Sequence, residues 1–177
     1  KKKSYVAIAL VALCIMLFVT FVFRKVSEPV ASWKYGVATL IALAHDVIIP
    51  TGIYIIFGHY FGAEIDLLFI TAILAILGYS VHDTIVVFDR VRENLALLNT
   101  KEAFEVTVGK SLSQTMTRSI NTSVTIFLTL LALYFVGAEV TRNFAFTLLI
   151  GVIVGTYSSI CVASPLLVTL EKLQKKK

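Results

Sequence analysis

The sequence predicts an all-α fold, a polytopic membrane bundle of five spanning helices. Hydrophobic residues fill 58% of the 177 positions and charged residues 15%, a balance too apolar for a soluble domain of this length. The mean hydropathy is +0.88. The apolar residues also come in runs of bilayer length, with cations gathered at the ends of those runs. The net charge of +5 therefore reflects topology, and no nucleic-acid partner is expected.

The whole chain, residues 1–177, reads as one transmembrane domain. It opens on Lys1-Lys2-Lys3 instead of methionine and is expected to be a piece of something longer. The first span covers about 5–23, an uncharged run closed by Arg24 and Lys25; it is long for the apolar part of a signal peptide, and no small-residue cleavage site follows. After a loop holding Glu28 and Pro29, Trp33 and Tyr35 mark an interface. The second span then covers about 33–57 and carries His45, Asp46 and Pro50.

A turn rich in glycine and aromatics leads to the third span, about 65–88, which contains Asp83 and continues past the membrane as a charged helix to Leu98. The segment 89–117 is expected on the cytoplasmic side, its part from Asn99 onward as a helix lying at the interface. The fourth span, about 118–137, starts near Arg118. A second short turn, Gly137 to Arg142, precedes the fifth span, about 144–170, with Pro165 near its end. Pro50 and Pro165 are positions where their helices would kink. Arg24, Lys25, Lys34, Arg90, Arg92, Lys101, Lys110 and the C-terminal lysines fall on one side, which makes that side, with the C-terminus, cytoplasmic. Lys1 to Lys3 then fall on the other side, a conflict that chain upstream would remove. Cys14 and Cys161 lie in apolar runs and are expected as small packing residues, not as a disulfide or metal site.

Ionisable residues inside the spans carry the functional signal. Asp83 interrupts the run from Ile65 to Phe88, where an unpaired charge costs at least ~3 kcal/mol. Arg118 enters the fourth span at a similar depth, one to two turns from the cytoplasmic edge. Burial favours the neutral carboxyl and a nearby guanidinium the charged one, so a small movement of Arg118 would switch the proton on Asp83. A fixed ion pair between two helices is the structural alternative.

Arg118, Thr122, Thr125 and Thr129 share one helical face, with Asn121 beside it and Ser111 and Gln114 extending it. That stripe is a candidate proton path or, equally, ordinary interhelical hydrogen bonding. Asp46 is a third proton-coupling candidate near mid-membrane, its alternative being a neutral acid bonded to a neighbouring helix. His45, about 100° away on the same helix, cannot face the same partner, so one of the two is expected in the pathway and one in packing. His82 is expected as a neutral donor more than a relay. Gly151, Gly155, Ser159 and Ala163 recur every four residues as a groove for close helix packing, against the third span or another subunit. No nucleophile–histidine pair, phosphate loop, dinucleotide turn or Cys/His cluster is present, so no enzyme activity, cofactor or metal is expected. Any work would draw on an ion gradient or a partner.

The run Gly78-Tyr-Ser-Val-His-Asp-Thr-Ile-Val-Val-Phe-Asp-Arg-Val-Arg-Glu-Asn94 resembles the signature helix of the SecD/SecF protein-export family, on its SecF side, within the resistance-nodulation-division (RND) superfamily. Ala42-Leu-Ala-His-Asp-Val47 and Gln114-Thr-Met-Thr-Arg-Ser-Ile-Asn-Thr-Ser123 fit the same family, in order, over about Trp33 to Leu167. The resemblance implies half of an RND-type pseudo-symmetric transmembrane domain, the part that follows an extracytoplasmic domain. It implies help in translocating secreted polypeptides through the Sec channel, coupled to the proton motive force, with Asp83 binding the proton and Arg118 as counter-charge. Implied partners are a SecD-like subunit, separate or fused upstream, the Sec translocon channel, the polypeptide substrate, membrane lipids and protons. The implied location is the bacterial or archaeal cytoplasmic membrane. His82 departs from the family's usual asparagine, which puts local hydrogen bonding in question. An RND-type exporter of lipids or small molecules, or a module that only organises the translocon, are the alternatives.

Overall fold

The computed structural model describes residues 10, 13–14, 17–21, 31–97 and 102–175. Inside a bilayer every backbone N–H and C=O needs a partner within the chain, and a helix supplies all of them locally. Among the described residues four helical stretches are long and apolar enough to cross a membrane. They are α1 (Ser32–Phe61), α2 (Leu67–Leu97), α3 (Phe104–Val136) and α4 (Glu139–Ser158), the last continuing through a π-helical turn, Ser159–Ala163, into α5 (Ser164–Lys175). The predicted first span lies mostly outside the described residues, and its described positions are helical.

Helix ends follow local chemistry. Gly62 ends α1 at a φ of 73°, where a side chain would be strained, and its N–H donates to the Gly58 carbonyl. Asp66 opens α2 by accepting the Phe69 N–H at 2.8 Å. Lys34, buried at the start of α1, donates to the Leu170 carbonyl at 2.7 Å and ties that end to α5.

The expected boundaries change in three places. From Phe104 onward the expected interfacial segment is not a separate helix, because α3 runs unbroken from Phe104 through Arg118 to Val136. Phe104, Thr107, Val108, Ser111 and Thr115 are all buried at helical spacing, which holds that stretch onto the bundle. The fifth span begins at Glu139, leaving a turn of Gly137 and Ala138 alone; an acidic first turn suits a helix N-terminus. Pro165 produces a π-turn before it: proline lacks an N–H and crowds the carbonyl four residues back, and the widened turn relieves both. Ser164 Oγ donates to the Ser159 carbonyl across that turn at 2.9 Å. At Pro50, α1 stays helical on either side. Cys14 and Cys161 are free cysteines on the outer surface of the bundle and not in its core.

The packing centres on α2 and α4, which lie against each other and each also meet α1 and α3. The Gly151–Gly155 groove has α2 as its partner: a Cβ on Gly151 would fall on Ile76, and one on Gly155 would face Ser80. Ser159 lies on the same seam, fully buried, with its hydroxyl 3.1 Å from that of Thr84. In contrast, 11% of the most apolar stretch of α3 is buried against 44% for that of α2, so this stretch of α3 largely faces away from the bundle.

Candidate functional site

Asp83 sits on the face of α2 turned towards α3 and is buried. Its Oδ1 accepts from Ser119 Oγ at 2.6 Å, while Oδ2 is buried with no hydrogen-bond partner. Among the described residues no lysine or arginine forms an ion pair with it. A carboxyl held by one donor is poised: the hydroxyl serves either protonation state, and the second oxygen is free to take a proton or a cationic partner.

Arg118 is not joined to Asp83 here. It is exposed, one residue round α3 from Ser119, and lines an open cleft of about 290 Å³ with Asp89, Arg90, Glu93 and Gln114. Asn121, Thr122, Thr125 and Thr129 continue that exposed stripe along α3. The Thr125 and Thr129 hydroxyls donate to carbonyls four residues back, at 2.9 Å each, which is the intrahelical form of hydroxyl bonding. Ser111 departs from the stripe: it is buried against α2 and accepts from Asn94 Nδ2 at 2.8 Å. His82 is exposed on α2, so it does not share the environment of Asp83.

Asp46 lies on the opposite flank of α2, fully buried. Ser80 Oγ donates to its Oδ2, and His45 Nδ1 lies 2.9 Å from its Oδ1. The two adjacent side chains therefore curl together instead of serving separate faces, with Asp46 inside and His45 reaching outward. Ser80 and Asp83 are three residues apart on α2, ~4.5 Å along the axis, so the two carboxylates occupy successive levels of the bundle.

Several participants escaped the sequence reading. Ser119 and Ser80 hold the carboxylates, and a hydroxyl knot joins three helices. In it Tyr79 lies 2.6 Å from Ser123 and 3.2 Å from Thr156, and Ser123 lies 2.6 Å from Thr156. The available signal was the series Ser111, Thr115, Ser119, Ser123, every fourth residue and all buried.

The family model "Protein export membrane protein SecD/SecF, C-terminal" matches residues 1–173. The chain belongs to the SecD/SecF protein-export membrane family. It is 53% identical over 171 residues to "Protein translocase subunit SecF" of Thermobaculum terrenum, covering 97% of this chain and 53% of that protein. It is 42% identical over 175 residues to "Protein translocase subunit SecDF" of Thermus thermophilus, covering 98% of this chain and 22% of that one. The solved structure "Crystal structure of SecDF in Super-membrane-facing form" superposes with a TM-score of 0.81 at 41% identity, over 93% of this chain and 21% of that one. The SecF match thus spans about half the length of the relative, and the SecDF matches about a fifth of the fused proteins.

Proposed function

We propose that this chain is the transmembrane half of a SecF-type subunit that assists polypeptide translocation across the cytoplasmic membrane, driven by the proton gradient. The observation that carries the reading is the Asp83 carboxyl, buried in a spanning helix with one oxygen on Ser119 and the other without a partner. Asp83 binds the transported proton, Arg118 is its counter-charge in the ionised state, and Asp46 is a second carboxylate of the same machinery. The end of the bundle bearing Arg90, Arg92, Lys110 and Lys172 is cytoplasmic, as its cations favour.

The exposed face of α2 and α3 supports a SecD-like half as partner. Arg118, Asn121 and Thr122 face outward from a helix whose length crosses the membrane, and polar groups there need protein or water instead of lipid. The Sec channel and the exported polypeptide complete the assembly, and lipid covers the remaining apolar surface.

The test is export of a secreted reporter by cells carrying the full-length protein with Asp83→Asn, with and without an uncoupler. Loss of the gradient-dependent component in an assembled complex supports the reading. Gradient-dependent export at the wild-type rate refutes it.

A further inference from the structure

Around Asp46 the structure gathers more polar groups than it pairs. The carboxylate is 0% exposed, takes the Ser80 hydroxyl on Oδ2 and faces His45 on Oδ1. His45 runs from this buried position to the bundle surface: its side chain is 26% exposed, and its ring lies 6.3 Å from that of Tyr157 on α4. Tyr157 thus meets α1, while Ser159 meets α2 through Thr84. Ser158 stands between them in the chain, on a helix that packs against both α1 and α2. It is 0% exposed, and its hydroxyl has no hydrogen-bond partner. Pro50 adds a further acceptor, since without an N–H it deprives the Asp46 carbonyl of its helical donor. Buried hydroxyls are almost always paired, and a bound water is the usual filler where several polar groups converge.

We infer that His45, Asp46, Ser80 and Ser158 form a second proton-binding site, a histidine–carboxylate pair completed by a bound water molecule, that charges separately from Asp83. The site stands on this geometry; its use in driving export rests on the proton-coupled reading above. In the ionised state Ser80 Oγ–H and His45 Nδ1–H both donate to Asp46. A proton arriving at His45 Nε2 forms the imidazolium, and passage of the Nδ1 proton to Asp46 Oδ1 leaves a neutral histidine and a neutral acid. The site has then gained one proton with no other bond changed. His45 is the entry because it spans from the buried carboxylate to the surface. Water at Ser158 supplies a donor to the charged carboxylate and an acceptor to the neutral acid.

The ionisable groups on the Asp46 side of α2 are His45 on α1 and Tyr157 beside that histidine on α4, with Asp83 one turn from Ser80 on the far side of α2. Among the described residues no lysine or arginine pairs with it. Ser80 turns to α1 and Asp83 to α3, so α2 stands between the two sites.

The test is a pH titration by infrared difference spectroscopy of the full-length protein with its SecD partner in lipid. A carboxylic-acid band should be lost in Asp46→Asn and kept in Asp83→Asn. Its midpoint should move by ~1 pH unit in His45→Gln, which removes a partner of the carboxyl, and measurably in Ser158→Ala, which removes the hydroxyl proposed to hold the water. His45→Gln and Ser158→Ala leave the carboxylate in place, so the readout survives if Asp46→Asn fails to assemble. No titrating band assignable to Asp46, or a midpoint that neither substitution moves, overturns the site. A titrating Asp46 band alongside unimpaired gradient-dependent export in Asp83→Asn would keep the site and remove the proposed role of Asp83.

Discussion

Gly151→Ala gives a sharp test of the packing that positions both carboxylates. A Cβ at Gly151 would lie 2.2 Å from Ile76 Cγ1, 2.3 Å from Cδ1 and 3.1 Å from Cγ2. Carbon atoms pack at about 3.5–4.0 Å, so three contacts are too short, two of them by more than an ångström. Ile76 cannot swing aside easily, because a β-branched side chain on a helix has one strongly preferred rotamer. It is also 1% exposed, in a cluster with Tyr54, Phe69 and Ile73. The α2–α4 seam must therefore open, at a steric cost of ~1–3 kcal/mol. Gly155→Ala meets Ser80 Cβ at 3.4 Å, an ordinary contact, and Gly109→Ala meets nothing within 4 Å. Alanine gains ~1 kcal/mol over glycine in a helix, so Gly109→Ala should stabilise, Gly155→Ala should be near neutral and Gly151→Ala should destabilise. Denaturant unfolding of the purified complex in detergent reads this order. A double-mutant cycle with Ile76→Ala should show a favourable coupling of ~1–3 kcal/mol, since that change removes every clashing atom. A Gly151→Ala variant as stable as Gly109→Ala, or an additive cycle, would refute the close approach of these helices.

Other consequences can be read from single bonds. Ser119→Ala removes the donor on Asp83 Oδ1; a hydrogen bond to a charged group contributes ~1.5–3 kcal/mol, and its loss favours the protonated form. The pH profile of gradient-dependent export should move upward by about one to two units, and Ser119→Thr should restore it; an unmoved profile would show that Ser119 does not tune Asp83. Tyr79→Phe frees Ser123 and Thr156 from the phenol but leaves them bonded to each other, so unfolding should show a loss of ~1 kcal/mol. Glu102→Ala breaks an exposed pair with Lys110, seen at 2.7 Å, and should change stability by less than ~0.5 kcal/mol at physiological salt.

The class of the fold was legible because bilayer-length apolar runs leave a helix as the sole economical form, and α1 and α2 fall close to their expected ranges. The join between the surface segment and the fourth span was not, because polarity changes there without any change in backbone conformation. Thr107, Ser111 and Thr115 read as surface residues by composition, yet their four-residue spacing sets them, with Ser119, in one buried row against α2. The two site aspartates were visible as charges in apolar runs. Their partners were not, since a serine in a spanning helix carries no sign of which neighbour it faces. Arg118 and Asp83 were matched by depth, but depth fixes position along the axis and not azimuth: Ser119, one residue on, points to Asp83 and Arg118 to the open cleft.

That difference in azimuth suggests how a gradient could work on this bundle. Ser119 occupies Oδ1 of Asp83, and Oδ2 remains unpaired on a carboxyl that Arg118 flanks from the next position on α3. Bringing the guanidinium to Oδ2 requires α3 to roll or slide against α2, which strains the 2.6 Å Ser119 bond and the Tyr79–Ser123–Thr156 knot beside it. The opposing terms are similar in size: a proton crossing 100 mV releases about 2.3 kcal/mol, and a hydrogen bond to a charged carboxylate contributes ~1.5–3 kcal/mol. A much stronger lock, such as a buried bidentate Arg118–Asp83 pair in both states, would resist that driving force; a much weaker one would leave α3 unregistered. Under the proposed coupling, a proton on Asp83 would remove the guanidinium's reason to approach and the serine bond would suffice, and loss of the proton would make the exchange favourable. On the proposed coupling, the neutral hydroxyl at Ser119 is what would keep the two arrangements close enough in energy for one proton to choose between them.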